Sequence, residues 1–236
     1  MNINSANLYL ENANSLTDNP DRINDAAVVN LRGGLLELRG RQQSASSETL
    51  GTVNLVAGGS QFIVTAGDGF QASSVLAINN LVRTPGTVAN FATGATNQVT
   101  LAAINGSAPT LTNGMLGGWA VFGTMAAGTH HFASYSPTLG VGAMGTAGFL
   151  AYSNATTDAN TLATATATSN ISLDSAITNT LLLTDDLTIN SLRFANQATQ
   201  NVHIAAGKTL TLATGGLMAW STASHYVGSG DGVGNV

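Results

Sequence analysis

A short unit of strand, glycine pair and strand recurs along this chain of 236 residues and constrains its fold more than any other feature. The unit reads VNLRGGLLELR at residues 29–39, VNLVAGGSQFIV at 53–64 and TLTLATGGLMAW at 209–220. Apolar residues alternate with others on each side of the glycines, as in a half-buried β-strand. The glycines suit a corner that needs positive φ or close backbone approach. In the first copy, alternation between Leu36 and Leu38 predicts that Glu37 points to solvent.

Most other apolar stretches are also short and are bounded by Gly, Asn, Ser or Pro, which is typical of β-strands. Helix is the competing interpretation. However, no window keeps apolar residues at helical spacing over three turns, and the abundant Thr and Asn are mediocre helix formers. The sequence therefore predicts an all-β fold.

The spacing of the repeats distinguishes a parallel solenoid from an antiparallel sandwich. The tripeptide VNL returns after 24 residues, at Val29 and Val53, each time followed by a glycine pair. A period of this size indicates stacked repeats. The polar positions hold Asn and Thr more than Lys and Glu, which suits ladders of like side chains from coil to coil. We predict a right-handed parallel β-helix, a β-solenoid of short coils with Gly/Asn-rich turns.

Composition excludes several classes of function. Charged residues make up 8% of the chain, against roughly 25% in ordinary soluble domains. The net charge is −5, and no Lys or Arg occurs between Arg83 and Arg193, so we expect no nucleic-acid partner. Cysteine is absent, which excludes disulfides and thiolate metal sites. No segment approaches the roughly 20 apolar residues of a membrane span, so we expect no direct membrane insertion by this segment.

The expected organisation is a single solenoid segment over residues 1–236. Residues 1–27 form a polar lead-in or cap, 28–227 the coils, and 228–236 a Gly-rich tail. Residues 114–152 break the rhythm and are expected to form an irregular excursion. The Gly-rich ending and the lack of a basic, apolar leader favour a fragment of a longer exported chain.

Several segments together resemble bacterial autotransporter-associated β-strand repeat proteins. The resemblance covers about residues 23–219 and rests on LRGGLLELRG, SSETLGTVNLVAGGSQFIVT, LAINNLVRTPGTVANF, APTLTNGMLGGWAVFG and DLTINSLRFAN with GKTLTLATGGLMA. It implies a right-handed parallel β-helix within an extracellular or cell-surface region. It supplies no catalytic residues for this chain, and the barrel that anchors such proteins is not in this sequence.

Four motifs have a chemical interpretation, and a structural one is favoured for each. GVGAMG at 140–145 lacks the following helix of a dinucleotide site, and GSGDGVGN at 228–235 is one copy of an off-register Ca²⁺ pattern. His130 and His131 are neighbours that point to opposite faces of a strand. Asp185 and Asp186 alternate likewise, and with the dispersed Asp158 and Asp174 they have no nearby base for lyase chemistry. We expect no catalytic, cofactor or metal site.

The weak candidate for a binding surface is aromatic and lies in the excursion. It consists of Trp119, Phe122, His130, His131, Phe132 and Tyr135. The expected function is a structural, non-catalytic stalk, adhesin or fibre segment of a bacterial surface or secreted protein. Self-assembly into filaments through the strand edges at its ends is part of this expectation. The alternative is a carbohydrate-active or glycan-binding β-helix.

Overall fold

A computed structural model gives the fold and describes most of the chain. The described residues are 1–13, 16–123, 130–155, 162, 164–173, 181–195, 199–219 and 223–229. No helix in this part of the chain has the length and apolarity needed to cross a bilayer.

Ten short strands form the first half of the structure. They are β1 (Asn2–Asn4), β2 (Asn7–Glu11), β3 (Val28–Arg32), β4 (Leu35–Arg39), β5 (Ala45–Ala57), β6 (Gly59–Thr65), β7 (Ser73–Arg83), β8 (Val88–Thr93), β9 (Asn97–Leu101) and β10 (Ala120–Phe122). Odd-numbered strands pair in parallel in the order β1-β3-β5-β7-β9, and even-numbered strands in the order β2-β4-β6-β8-β10. Each coil therefore contributes one strand to each sheet.

The repeat seen in the sequence is the stacking unit of these coils. Val29, Asn30 and Leu31 of β3 lie in register with the second VNL, Val53 to Leu55, of β5. Gly33 and Gly58 follow these two copies and have φ of +69° and +68°, a conformation that costs glycine little. The prediction of glycine corners is confirmed at both positions.

Side chains from both sheets fill one continuous core. One ladder contains Leu8, Leu36, Phe62, Phe91 and Phe122 at successive levels. The rings of Phe62 and Phe91 are fully buried and stack with centroids 5.1 Å apart. Strand alternation drives this arrangement, because every second residue faces the other sheet.

The chain direction reverses after β10. Strand β11 (His131–Ser136) pairs antiparallel with β10, and β12 (Gly140–Ala143) pairs antiparallel with β11. These strands extend the even-numbered sheet at its β10 end. They belong to the segment 114–152, in which the sequence predicts an irregular excursion.

A second stack of parallel coils follows. Its strands are β13 (Asn154–Ala155), β14 (Asn170–Leu173), β15 (Leu181–Leu183), β16 (Leu187–Phe194), β17 (Asn201–Ile204), β18 (Leu210–Ala219) and β19 (Tyr226–Ser229). The sheet orders are β13-β14-β16-β18 and β15-β17-β19, all parallel. Its own core includes Ile171, Leu192, Phe194 and Val202. The molecule is thus a parallel β-solenoid of about 8 turns, as predicted.

Two details differ from the sequence-based expectations. Residues 2–11, assigned to the lead-in or cap, already form β1 and β2 and make the first coil. The Glu37 side chain does lie on the other face of β4 from Leu36 and Leu38, but it is only 8% exposed. The Arg39 guanidinium covers it, with Nη2 to Oε2 at 3.0 Å, so the expectation that Glu37 points to solvent is wrong.

Candidate functional site

The described parts of the segment 114–152, residues 114–123 and 130–152, lie between the two stacks and carry all six residues of the predicted aromatic surface. A cluster of Met and Phe side chains, called the mixed cluster below, joins this segment to the second stack: Met115, Phe132 and Met144 pack with Met218 of β18. Methionine side chains adapt to irregular gaps, which suits a junction between two regular elements. The predicted excursion is therefore the place where the two solenoid stacks meet.

Three of the six aromatic candidates serve mainly as packing. Phe132 is buried in the mixed cluster. Tyr135 packs against the first core and donates its hydroxyl to the carbonyl of Leu101 at 2.8 Å. His131 is half-buried and lies 6.0 Å from the ring of Tyr152, centroid to centroid.

His130 is also buried, and its backbone takes part in the junction. Arg193 of β16 donates from Nε to the carbonyl of His130 at 2.6 Å and from Nη1 to the hydroxyl of Ser172 at 2.9 Å. Burial is the main cause that lowers the pKa of His130, and the charge of Arg193 lowers it further. The two neighbouring histidines have different surroundings and do not form a pair.

A network of two buried asparagines, Asn170 and Asn190, and the half-buried Asn113 completes the junction. Asn190 donates to Oδ1 of Asn170 at 2.6 Å, and Asn113 donates to Oδ1 of Asn190 at 3.0 Å. Asn170 returns a bond to the carbonyl of Asn113 at 2.7 Å. Buried amides need such partners, because an unsatisfied polar group costs free energy inside a protein. This network fixes the second stack against the excursion.

The other two aromatic candidates, Trp119 and Phe122, line separate cavities. A cavity of about 270 Å³ lies beside Phe122, with Leu139, Val141 and Phe149 among its walls. A second cavity of about 360 Å³, which we call the junction groove, contains Trp119. Its walls include Arg83, Gly86, Val88, Gly118, Trp119 and Thr214. The six predicted residues therefore do not converge on one surface.

The junction groove is built where three irregular segments meet. One is the turn between β7 and β8, the second precedes β10, and the third is a bulge in β18. At the bulge, β18 places three residues opposite Asn190 alone, and the hydroxyl of Thr214 donates to the Asn190 carbonyl at 2.7 Å. Bulges of this kind often occur beside functional sites because they redirect side chains.

Arg83 is the charged group of the groove, and the sequence-based list of site residues did not include it. Its Nε donates to the carbonyl of Thr87 at 3.2 Å, and its guanidinium carbon lies 5.3 Å from the Trp119 ring centroid. Desolvation by the surrounding protein lowers the pKa of Arg83. A usable signal was present in the sequence: Arg83 is the last basic residue before a long base-free region.

The remaining sequence motifs have structural positions. GVGAMG forms β12 and the turn after it. Asp185 pairs with Lys208 at 3.4 Å, and Asp186 accepts from the backbone N–H of Thr209 at 2.8 Å, so both tie one coil to the next. Asp158 and Asp174, and most of the motif at 228–235, lie outside the described residues.

Two further observations complete the description of possible sites. Within the described ranges, no group of three or more His, Cys, Asp or Glu side chains is placed to hold a metal ion. Comparisons with known protein families, with curated proteins and with solved structures found no match.

Proposed function

We propose that this chain is a structural, non-catalytic segment of an extracellular or cell-surface bacterial protein, acting as a stalk, adhesin or fibre component. The observation that carries the proposal is the in-register stacking of parallel coils. Residues at matching positions of successive coils pair over both sheets of the first stack. Such a repeat extends in one dimension and suits a chain that spans distance.

Polar side chains on the outside of the coils also serve the stacking. Asn54 donates to Oδ1 of Asn30 at 2.7 Å, and Asn30 donates to Oδ1 of Asn2 at 2.8 Å. Arg39 reaches Glu11 of the preceding coil at 3.4 Å. Each of these groups is used to hold one coil on the next, which supports a mechanical role.

The proposed location outside the cell rests on composition and on the resemblance to autotransporter-associated repeats. A surface poor in charge and rich in Asn, Thr, Ser and Gly is typical of exported β-rich structural proteins. The parallel coils agree with the fold that the resemblance implies.

Open strand edges at the ends of the sheets offer a route for copies of the chain to assemble. Strands β1 and β2 lie at one end of their sheets, and β18 and β19 lie at the end of theirs. An edge strand offers unpaired N–H and C=O groups that another strand can meet. We propose that further coils, or a second copy of this chain, pair with these edges.

A concentration series followed by negative-stain electron microscopy tests the assembly. We expect rods that lengthen as the protein concentration rises. Leu217→Lys places a charge on the exposed edge strand β18 and should shorten the rods, whereas Leu111→Lys, in an exposed loop outside the strands, should not. Dispersed single particles at every concentration would contradict self-assembly.

A second experiment tests whether the chain can fold at a cell surface and whether its role is structural. The chain, carrying a secretion signal and a surface anchor, is expressed in a bacterium and probed with external protease and antibody. We expect a folded, accessible surface segment and no turnover of acidic or neutral polysaccharides, with or without Ca²⁺. Polysaccharide turnover by the purified chain would replace the structural role with an enzymatic one.

Glycan binding is the second candidate function, and the junction groove is the observation that favours it. An aromatic ring and an arginine line one open cavity of about 360 Å³, within the size range of ligand sites in proteins.

A further inference from the structure

One wall of the junction groove is a hydrogen-bonded turn. The turn Thr84–Thr87 closes with a hydrogen bond of 3.2 Å from the Thr87 N–H to the Thr84 carbonyl. Pro85 occupies the second position and Gly86, with φ of +88°, the third, which is the pattern of a type II turn. The turn carries Arg83 at its entrance. A preformed wall lowers the entropic cost of binding.

Arg83 brings a positive charge into this groove without a carboxylate of its own. In the described portion of the chain, Arg83 forms no ion pair with an Asp or Glu side chain. Among the described residues, the Arg83 side chain makes one hydrogen bond, from Nε to the carbonyl of Thr87. The guanidinium remains charged at any physiological pH, so its terminal N–H groups can bind an anion.

Trp119 provides the second recognition element. Its indole is half-buried, packs against the first core, and lines the groove beside Arg83. The backbone is fixed by the bond from the Ala89 N–H to the Trp119 carbonyl at 3.0 Å. Indole offers one N–H donor and an extended apolar surface. The C–H face of a sugar ring packs well against such a surface.

Glycines keep the floor of the groove open and bring the two stacks together. A Cβ atom on Gly118 would lie 2.7 Å from the backbone nitrogen of Gly216, so the two segments approach closely only because position 118 is glycine. Cβ atoms on Gly86 or Gly215 would meet nothing within 4 Å, which shows free space above the backbone there. The ligand space is therefore bounded by backbone and by few side chains.

We propose that the junction groove binds an acidic saccharide, with a ligand carboxylate on the Arg83 guanidinium and a sugar ring against Trp119. Arginine and carboxylate form short, charge-assisted and often bidentate hydrogen bonds. An acidic peptide could offer the same carboxylate, but its side-chain anchors need apolar pockets. Apart from Trp119, the large apolar side chain of the groove is Val88, at its exposed rim. This site goes beyond the structural role, and either can fail without the other.

Isothermal titration calorimetry at near-physiological salt tests the site with oligogalacturonate hexamer as the probe. We expect binding of the hexamer and none of cellohexaose, which has no carboxylate. A hexamer derived from λ-carrageenan, which carries sulfates but no carboxylate, is the third arm: binding as tight as that of oligogalacturonate would show that any anionic group suffices and would overturn the carboxylate assignment. A hexameric poly-glutamate peptide that binds as well as the uronate would overturn the saccharide assignment.

Variants test whether the saccharide binds in the junction groove. Arg83→Met keeps the aliphatic stem and should lower the affinity at least about ten-fold, because a hydrogen bond to a charged group is lost. Arg32→Met removes the same charge from an exposed position on β3 and should leave the affinity unchanged. Val88, at the rim, is 43% exposed. Val88→Phe fills the rim without changing charge and should also weaken binding. Equal effects of Arg83→Met and Arg32→Met, or unchanged binding in Val88→Phe, would refute the site.

Discussion

The carboxylate of Glu48 accepts a hydrogen bond of 2.8 Å from the backbone N–H of Ile23, although Glu48 is fully buried within the first stack. The N–H of Arg22 donates to the other carboxylate oxygen at 3.0 Å. One acid thus holds the loop between the first two coils over the core. The nearby Asn12 is also fully buried. Its Nδ2 donates to the Asn19 carbonyl and its Oδ1 accepts from the Asn19 N–H, each at 3.2 Å.

The pH dependence of stability should report on Glu48. Burial is the main cause that raises its pKa above the ordinary 4.5, and the bonds from Arg22 and Ile23 oppose the shift. The folded state therefore binds the proton more tightly than the unfolded state. The stabilisation is fully present below pH 4.5 and is lost as pH rises through the raised pKa. Urea unfolding of wild type and Glu48→Gln from about pH 4.5 to about pH 8 measures it.

We expect the free energy of unfolding of wild type, relative to Glu48→Gln, to fall across this window. Asp68→Asn is the control, because Asp68 is an exposed carboxylate and its loss should change stability by less than about 0.5 kcal/mol. A wild-type profile parallel to that of Glu48→Gln would show that the proton affinity of Glu48 does not change on folding.

The asparagine ladder should stabilise the first three coils. Asn30→Ala removes one bond to Asn2 and one from Asn54, both at the surface, so a loss of about 1 kcal/mol is expected. Asn30→Asp can still accept from Asn54 but, when ionised, cannot donate to Asn2. Chemical denaturation at neutral pH should rank Asn30→Asp between wild type and Asn30→Ala. Asn4→Ala, an exposed asparagine on the same sheet, should match wild type.

The Phe62–Phe91 stack should dominate the core of the first solenoid stack. Phe62→Ala leaves a cavity in a fully buried ladder and should cost about 3–5 kcal/mol. Phe70→Ala offers a matched control in the same chain, because Phe70 is fully exposed and should change stability by less than about 0.5 kcal/mol. Equal losses in the two variants, measured by urea midpoint, would contradict the core assignment.

The sequence predicted the features that depend on local alternation and repeat spacing. Val29 and Val53 fall in register because the strand period of two and the coil period act together on them. Coil length itself was less predictable: Asn30 and Asn54 are 24 residues apart, but Asn2 and Asn30 are 28 apart. Turn lengths vary without changing the core pattern, so a single spacing cannot fix every level.

Contacts across the junction were not predictable from the local pattern. Alternation in β16 places Leu192 and Phe194 in the core and predicts that Arg193 faces solvent. The excursion covers that outer face, so Arg193 is buried as well. Glu37 was misjudged for a related reason: the side chain that covers it, Arg39, lies two residues away on the same face. Periodicity gives the face of a residue, whereas its exposure depends on what packs on that face.

His130 should make stability sensitive to mild acid. Its pKa is lowered from the ordinary 6.5, first by burial and then by Arg193, so the folded state favours the neutral ring. The corresponding stabilisation is present above pH 6.5 and is lost as pH falls through the lowered pKa. Because burial also lowers the pKa of His225, the measurement is the difference between wild type and His130→Gln. That difference should shrink from about pH 7.5 to about pH 5, and a constant difference would contradict the shift.

Arg193 should hold the excursion to the second stack. Arg193→Met keeps the aliphatic stem but removes the donors to the His130 carbonyl and the Ser172 hydroxyl, at a cost of about 3 kcal/mol. Hydrogen exchange followed by mass spectrometry should show faster exchange in residues 130–136 and 187–194. Residues 28–65 of the first stack, whose core is separate from that of the second stack and whose strands do not pair with β10 or β11, should exchange as in wild type. Uniformly faster exchange across both stacks would mean that the chain unfolds as one unit. Arg193 would then not act locally, between the excursion and the second stack.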